Sequence, residues 1–281
     1  MALAPALTLP RLGSRRGSSK PLRSLRGRTA LVTGASGGLG EVVAERLYDE
    51  GVDLVLSARR VAALEAVASR LGDARVLPAD LAVLEDVRRL AEAAGDPDIL
   101  VANAGLPANG EVLDLDVEEI VRALDLNVRG TLVLTRLLLP AMVARRAGHV
   151  VLVGSLAGLA STPRSSIYNA SKFALRGFGH ALREELRGTG VGVSLVSPTF
   201  VSATGMWADT GLRARHREVA PRQVADACVR AIVEDRAEIL VAPALQRAVV
   251  RMAGLFPELM QPVLRSSVVP EEAVHRQKSK R

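Results

Sequence analysis

Short apolar runs alternate with segments of helical periodicity along most of this chain. Residues 150–153 are continuously apolar, which is typical of a strand that is buried on both faces of a parallel sheet. The regular alternation predicts β-α repeats and therefore an α/β fold, a doubly wound and mostly parallel sheet with helices on both faces. Seven strands are predicted, at residues 29–32, 53–57, 75–78, 99–101, 149–153, 192–196 and 238–241.

Length and composition fit one large core. The chain has 281 residues, of which 48% are hydrophobic, and this is enough for a single α/β domain. The longest apolar stretch, residues 132–144, contains Arg136 and Pro140 and is too short to span a bilayer, so we interpret it as the end of a long helix that contains Asn127. The single cysteine, Cys228, excludes an intrachain disulfide, and no Cys/His cluster has metal-ligand spacing.

A glycine-rich turn follows the first predicted strand. A strand that enters such a turn and leaves it as a helix presents backbone amides at a helix N-terminus, where the dipole favours a phosphate. Glycines also form ordinary turns, but residues 41–49 have helical periodicity and Gly51 is placed to end that helix. The context therefore indicates a phosphate-binding turn, which reads Thr33-Gly34-Ala35-Ser36-Gly37-Gly38-Leu39-Gly40.

Three polar residues further along the chain suggest carbonyl–alcohol chemistry. Tyr168 and Lys172 are four positions apart, so both side chains emerge on one face if the segment is helical. A lysine cation one turn away favours the phenolate and lowers the tyrosine pKa, which makes the hydroxyl a usable proton donor to a developing alkoxide. Ser155, at a neighbouring strand end, would donate a hydrogen bond to the same oxygen. A Tyr-x-x-x-Lys pair alone is better explained by chance, and the glycine turn upstream favours the chemical interpretation.

Six motifs occur in a fixed order along the chain. They are Thr33-Gly34-x-x-x-Gly38-x-Gly40, Asn103-Ala104-Gly105, Asn127 between Leu126 and Val128, Ser155, Tyr168-x-x-x-Lys172, and Pro198 after a strand. By these motifs the chain resembles, over about residues 28–242, the short-chain dehydrogenases/reductases, which have a Rossmann-like fold. The resemblance implies a domain for dinucleotide binding and catalysis over residues 28–243. Composition and periodicity predict a basic leader over residues 1–27 before it and an amphipathic extension with a basic tail over residues 244–281 after it.

The same resemblance implies a catalytic tetrad of Asn127, Ser155, Tyr168 and Lys172. Tyr168 would exchange the proton and Ser155 would orient the carbonyl. Lys172 would bind the nicotinamide ribose and lower the tyrosine pKa, and Asn127 would hold a water of the proton relay. Considered by itself, Asn127 is more simply a buried polar residue bonded to nearby backbone.

The end of the second predicted strand bears on cofactor choice. Dinucleotide folds that prefer NAD place an acid there, about 20 residues beyond the glycines, to accept hydrogen bonds from the ribose. This chain has Arg59 and Arg60 instead, and an arginine fork can bind a 2′-phosphate, so NADP(H) is predicted over NAD(H). The alternative is that both arginines are solvated residues of a first helical turn. The predicted nucleotide-binding residues are Gly34, Ser36, Gly38, Leu39, Gly40, Arg59, Arg60, Asp80, Leu81, Asn103, Ala104, Gly105, Tyr168, Lys172, Pro198 and Val201.

The net charge of +7 is concentrated in the leader. Residues 1–28 contain seven arginines and lysines and no acid, so the remainder is neutral overall and does not favour a nucleic-acid groove. This composition predicts a disordered leader. The predicted location is cytoplasmic, and the single cysteine permits such a reducing compartment. A mitochondrial transit peptide is the less favoured alternative, because arginine is frequent along the whole chain.

The substrate and partners are predicted more coarsely. The loop after Pro198 departs from the family pattern at Thr199 and Thr204, and it carries Met206 and Trp207, which favour an apolar carbonyl or alcohol such as a lipid, a steroid, an aldehyde or a ketone. The extension is expected to pack on the domain or on a second subunit, with weak membrane-surface docking as the alternative. The resemblance implies a homodimer or homotetramer. A silent NADP(H)-binding sensor and a membrane-peripheral interaction protein remain alternative functions.

Overall fold

The centre of the protein is a parallel sheet in a computed structural model that describes residues 22, 24–72, 74–212, 218–265 and 269–277. Seven strands form this sheet in the order β3-β2-β1-β4-β5-β6-β9, and β7 pairs in parallel with β8 beside it. The strands are β1 Thr29–Thr33, β2 Asp53–Ser57, β3 Arg75–Val76, β4 Ile99–Ala102, β5 Gly148–Val153, β6 Val191–Pro198, β7 Phe200–Val201, β8 Glu218–Val219 and β9 Glu238–Val241.

Helices cover both faces of this sheet. Alternate residues of β1 belong to different cores, since Ala30 and Val32 pack in one apolar cluster with α1, α2 and α8, while Leu31 packs in the other with α3, α5 and α6. This alternation follows from the period of two along a strand. The helices are α1 Gly38–Asp49, α2 Val61–Ala68, α3 Leu84–Ala94, α4 Val117–Leu124, α5 Thr131–Ala144, α6 Ser166–Glu185, α7 Gly205–Ala208, α8 Pro221–Val233, α9 Ala244–Leu255, α10 Pro257–Arg265 and α11 Glu271–Gln277.

The predicted fold class is confirmed. All seven predicted strands are present in the sheet, and the chain has the doubly wound, Rossmann-like architecture that the β-α alternation indicated. The largest differences are at two strands. β3 is shorter than predicted because it is an edge strand that pairs only with β2 over two residues. β6 is longer, since it pairs with β5 over Val191–Val196 and with β9 over Leu195–Pro198, and all of its residues are buried.

The long helix that was expected around Asn127 is present. α4, a π-helical segment at Asp125–Gly130 and α5 form one continuous helical stretch over Val117–Ala144, which is by length and composition alone sufficient to cross a membrane. The apolar stretch at residues 132–144 is the end of this helix, as predicted. Buried residues of α5 such as Leu134 and Met142 pack into the sheet core, as expected of a core helix. The stretch passes so close to the loop after β3 that a Cβ on Gly130 would overlap the carbonyl of Leu81.

The folded body begins before the predicted boundary at residue 28. Leu22 and Leu25 are buried in the core cluster that contains α1, and the N–H of Gly27 donates to the carbonyl of Gly51 at 2.8 Å. The end of the segment assigned to the leader is thus part of the domain, because its two leucines complete that core. Residues 1–21 and 23, on which most of the leader prediction falls, lie outside the described residues, as do residues 278–281 of the extension.

The described part of the extension packs on the domain. Val250 and Ala253 of α9 contact Leu156 and Leu159, which follow β5. α11 contacts the segment after β6 in a second small cluster that includes Trp207. α9 and α11 thus pack on the domain, and both contacts lie at the carboxyl ends of the strands.

Candidate active site

A cleft of about 1120 Å³ lies at the carboxyl ends of the central strands. Parallel strands end at the same edge of a sheet, so the loops after β1, β2, β4, β5 and β6 converge there. Fifteen of the predicted site residues line this one cleft, and only Gly40, Asp80 and Asn127 do not. Those that line it are Gly34, Ser36, Gly38, Leu39, Arg59, Arg60, Leu81, Asn103, Ala104, Gly105, Ser155, Tyr168, Lys172, Pro198 and Val201, of which Ser155 was predicted only for catalysis.

The glycine turn forms one end of the cleft. Gly34 and Gly38 have positive φ angles of 68° and 61°, which glycine adopts without strain. A Cβ on Gly34 would approach the Cα of Ala104 to 2.9 Å, and a Cβ on Gly40 would overlap the carbonyl of Gly34. Gly40 therefore lets α1 start close behind the turn. The result is a helix N-terminus that opens into the cleft, which fits a phosphate of a dinucleotide.

Thr33 fixes the glycine turn against the loop after β4. Its Oγ1 accepts the N–H groups of Asn103 and Ala104 at 3.1 and 3.2 Å. The side-chain amide of Asn103 in turn donates to the carbonyl of Thr33 at 3.1 Å. The Asn103-Ala104-Gly105 segment is thereby held beside the phosphate-binding turn.

The two arginines at the end of β2 have different neighbours. Nη2 of Arg60 donates to the carbonyl oxygen of Ser36 at 2.9 Å and to its Oγ at 3.3 Å, so this guanidinium spans from β2 to the glycine turn. Arg59 is exposed at the rim, and its charge acts on Asp80. Both arginines line the cleft beside the glycine turn.

Asp80 does not face the cleft. Its Oδ2 accepts a hydrogen bond from Arg122 at 2.9 Å, and its Oδ1 accepts the N–H of Ala82 at 3.0 Å. Burial raises the pKa of Asp80, but the bonds from Arg122 and Ala82 and the charge of Arg59 outweigh it and keep the pKa below its usual value. The carboxylate therefore shapes the loop, while its neighbour Leu81 supplies the contact surface in the cleft.

Ser155, Tyr168 and Lys172 meet in the middle of the cleft. α6 places Nζ of Lys172 5.6 Å from the centroid of the Tyr168 ring, as their spacing predicted. Nζ also donates to the carbonyl of Val153 at 3.1 Å, at the end of β5. Oγ of Ser155 accepts the N–H of Ala157 at 3.1 Å and is hydrogen-bonded to the Tyr168 hydroxyl. Two hydroxyls are thus directed to one place beside a buried amine.

The electrostatics of this trio differ from the expectation. Burial raises the pKa of Tyr168 to about 12, and the hydrogen bond with Ser155 opposes this only in part. Burial also lowers the pKa of Lys172 to about 8. In the protein alone, desolvation therefore outweighs the expected lowering of the tyrosine pKa by the lysine. The tyrosine is a neutral hydroxyl at pH 7, and the lysine is mainly a cation.

Asn127 lies behind the trio in the π-helical segment. Its Oδ1 accepts the N–H of Leu106 at 2.7 Å, and its Nδ2 donates to the carbonyl of Leu106 at 3.0 Å and to Oγ of Ser171 at 3.3 Å. Ser171 is on α6, next to Lys172. The side chain thus joins the loop after β4 to the helix that carries the tyrosine, and the relay water stays a prediction.

The far end of the cleft is apolar and includes residues that the sequence did not indicate. The loop after β6 contributes Met206 and Trp207, as expected for a substrate loop. The extension contributes further lining residues, and its amphipathic pattern predicted packing on the domain but not this location. The lining residues from the extension are Leu245, Gln246, Val249, Val250, Val263, Leu264, Val269 and Gln277.

The fold and the cleft define a dinucleotide-binding α/β protein of the oxidoreductase type, and comparison with known proteins specifies it further. The family described as short chain dehydrogenase matches residues 28–214, and the chain belongs to this family. It is 37% identical over 230 residues to the ketoacyl reductase HetN of a Nostoc species. The matched region covers 78% of this chain and 80% of that protein.

Two solved structures extend the comparison to cofactors. An actinorhodin polyketide ketoreductase with NADPH is 28% identical and superposes with a TM-score of 0.72 over 78% of this chain and 97% of that chain. A 3-ketoacyl-(acyl-carrier-protein) reductase of Brucella melitensis complexed with NADH is 29% identical, with a TM-score of 0.71 over 79% of this chain and 100% of that chain. Similar folds thus hold either nucleotide.

Proposed function

We propose that the protein is an NADP(H)-dependent oxidoreductase that interconverts a carbonyl and an alcohol on an apolar substrate. One observation carries this proposal. The hydroxyls of Ser155 and Tyr168 and the amine of Lys172 converge in the same cleft as a glycine turn that is shaped for a dinucleotide phosphate. The family to which the chain belongs supports an oxidoreductase activity of this class.

Each polar group has a separate task in this proposal. The bound nucleotide supplies or accepts the hydride. Ser155 donates a hydrogen bond to the substrate oxygen, since its own lone pair already accepts the N–H of Ala157. Tyr168 gives a proton to that oxygen in reduction and takes it back in oxidation. Lys172, with a pKa of about 8, is mainly protonated at neutral pH and places positive charge beside the phenol.

The preference for NADP(H) is supported by the end of β2. No carboxylate follows β2 to accept hydrogen bonds from the ribose, and two arginines stand there instead. The position of Arg60 between β2 and Ser36 supports a role in binding a 2′-phosphate, because its guanidinium fork matches that group. The solved ketoreductase with NADPH adds support from a relative.

An apolar substrate is supported by the composition of the far end of the cleft. Side chains from three parts of the chain, Leu156, Trp207 and Val250 among them, face this space. A pocket with an apolar body and a few placed polar groups orients a ligand through those groups. A ketone or aldehyde attached to a hydrocarbon portion fits this arrangement.

The test is a carbonyl panel assayed with NADPH and NADH in parallel. We expect nucleotide oxidation with hydrophobic ketones or aldehydes, faster with NADPH at subsaturating nucleotide, and loss of turnover in Tyr168→Phe with binding retained. NADPH binding without turnover on any carbonyl or alcohol would instead favour the silent sensor. Binding of lipid vesicles without nucleotide binding would favour the interaction protein.

Oligomeric state, membrane contact and location are further proposals. We propose a homodimer or homotetramer, which is supported by exposed apolar residues on the long helical stretch, such as Val117, Val121 and Leu137. Light scattering after size exclusion tests it. Leu255 and Leu259 are exposed at the junction of α9 and α10 and support a weak contact with a membrane surface. Cosedimentation with lipid vesicles tests this contact. A cytoplasmic location remains the proposed one.

A further inference from the structure

We propose that α11 is a lid over the substrate end of the cleft and that Gln277 is the positioning residue that holds it closed. In this position Gln277 determines specificity for the part of the substrate remote from the carbonyl. The specificity role depends on the proposed function, whereas the lid is a property of the free protein.

Gln277 joins two loops that are far apart in the sequence. It is only 4% exposed although it lies near the end of the chain. Its Oε1 accepts a hydrogen bond from Nδ2 of Asn109 at 2.9 Å, and its Nε2 donates to the carbonyl of Met206 at 3.1 Å. Asn109 is in the segment after β4, and Met206 is in the substrate loop after β6. The amide of Gln277 therefore closes the gap between these two walls of the cleft.

The hydrogen bonds continue to the helix that carries the tyrosine. Oδ1 of Asn109 accepts a bond from Oγ of Ser165 at 2.9 Å, and Ser165 directly precedes α6, three residues before Tyr168. Asn109, Ser165 and Gln277 are all buried, and all three line the cleft. A buried polar group that loses its hydrogen-bond partner destabilises the fold. These hydrogen bonds therefore stabilise α11 in its observed position.

Apolar contacts hold the body of α11 on the same loop. Val269, Ala273 and Val274 pack against Trp207, whose ring centroid is 4.3 Å from that of Phe200. Ala273 is fully buried in this contact. Next to Gln277, Arg276 donates to the carbonyl of Thr210. The helix is thus fixed to the substrate loop along its length, with the polar amide of Gln277 at the end that faces the cleft.

The position of this amide leads to a specificity role. A substrate whose carbonyl lies at Tyr168 extends its remaining atoms towards the apolar end, where Val269 and Gln277 form part of the wall. A short substrate fits under the closed lid. A longer one either displaces α11 or replaces a hydrogen bond of Gln277 with one of its own polar groups, because a buried amide left unpaired is unfavourable.

Trp207 provides a test of the lid that needs no substrate. It is the single tryptophan of the chain, so its fluorescence reports on the α11 contact. Gln277→Leu keeps a similar volume and removes both hydrogen bonds, and Ala273→Glu places a charge in the contact with Trp207. His275→Ala is the control, because His275 is exposed on the same helix. We expect acrylamide quenching of Trp207 to increase in the first two variants and to stay unchanged in the control, with the thermal midpoint checked for each.

Kinetics then test the specificity role. We expect Gln277→Leu to change the ratio of kcat/KM for long against short carbonyl substrates by about 10-fold, mainly through KM, with the affinity for NADPH unchanged. Unchanged quenching in both α11 variants would overturn the lid. Increased quenching with an unchanged ratio would overturn the specificity role. Increased quenching in a protein without turnover on any carbonyl would refute the proposed function and leave the lid standing.

Discussion

Arg60 is the residue that supports the proposed preference for NADP(H) most directly. Its guanidinium already reaches the glycine turn through Ser36, whereas the charge of Arg59 acts on Asp80. We therefore expect Arg60→Ala to weaken NADPH selectively and Arg59→Ala to have the smaller effect. NADH, which lacks the 2′-phosphate, should bind almost equally to the wild type and to both variants.

The expected loss of NADPH affinity in Arg60→Ala depends on which hydrogen bonds Arg60 makes with and without the 2′-phosphate. A hydrogen bond to a charged group contributes about 1.5–3 kcal/mol, which corresponds to roughly 10- to 150-fold in affinity. Arg60 is exposed and donates to both oxygens of Ser36 in the free protein. A phosphate would therefore replace hydrogen bonds that already exist, and the net gain in binding free energy is smaller than that of a new bond. Screening by salt reduces the gain further, with a Debye length of about 8 Å at physiological ionic strength. We expect a loss of about 10-fold, the lower end of the range.

The assay is a calorimetric titration of each nucleotide at low and at high salt. Arg187→Ala is the matched control, because it removes the same charge from an exposed pair with Glu184 just beyond α6, outside the residues that line the cleft. The loss for NADPH should shrink as salt increases. An equal loss for NADPH and NADH, or the same loss in the control, would refute the assignment of Arg60. A selective loss in Arg59→Ala alone would transfer the role to that residue.

Three other changes follow from the geometry. Tyr168→Phe should lower turnover by about 10²- to 10⁴-fold at unchanged NADPH affinity, and near-normal steady-state rates would exclude the tyrosine as the acid. Gly40→Ala should weaken both nucleotides and lower the thermal midpoint, since the new Cβ overlaps the Gly34 carbonyl, whereas Gly177→Ala on α6, with open space around it, should not. Burial lowers the pKa of His149 to about 4, so below pH 6.5 the unfolded chain binds a proton that the folded chain does not, and stability should fall by up to about 3 kcal/mol towards pH 4. Urea unfolding at pH 7 and pH 5 should show this fall in the wild type and not in His149→Gln.

The sequence was sufficient where local pattern and chemistry coincide. The strand before the glycine turn and the helix after it were predicted because apolar periodicity and glycine spacing point to the same structure. Tyr168 and Lys172 were predicted to share a helix face, and α6 places them so. The convergence of distant loops in one cleft followed from the parallel sheet, since parallel strands end at a common edge.

What the sequence did not reveal depends on contacts over long distances. The burial of Leu22 and Leu25 could not be read from a segment whose composition is basic and polar, because two leucines among arginines carry no periodicity. Gln277 is separated from Asn109 by 168 positions, and its amide has no motif around it. A polar residue near the end of a chain is usually exposed, so only the folded structure shows that this one reaches the cleft.

In the trio of Ser155, Tyr168 and Lys172, burial changes the pKa values that the spacing of the residues suggested. Spacing alone suggested that Lys172 activates Tyr168 by lowering its pKa, yet the same burial that brings them together raises the pKa of the phenol to about 12 and lowers that of the amine to about 8. At neutral pH the protein alone therefore holds a protonated tyrosine beside a lysine that is mainly protonated, which is the state needed to donate a proton to a reduced carbonyl oxygen. In the proposed reaction the reverse step needs a tyrosinate, and burial disfavours that anion in the protein alone. The protein without its nucleotide therefore favours the acid form of Tyr168 over the base form.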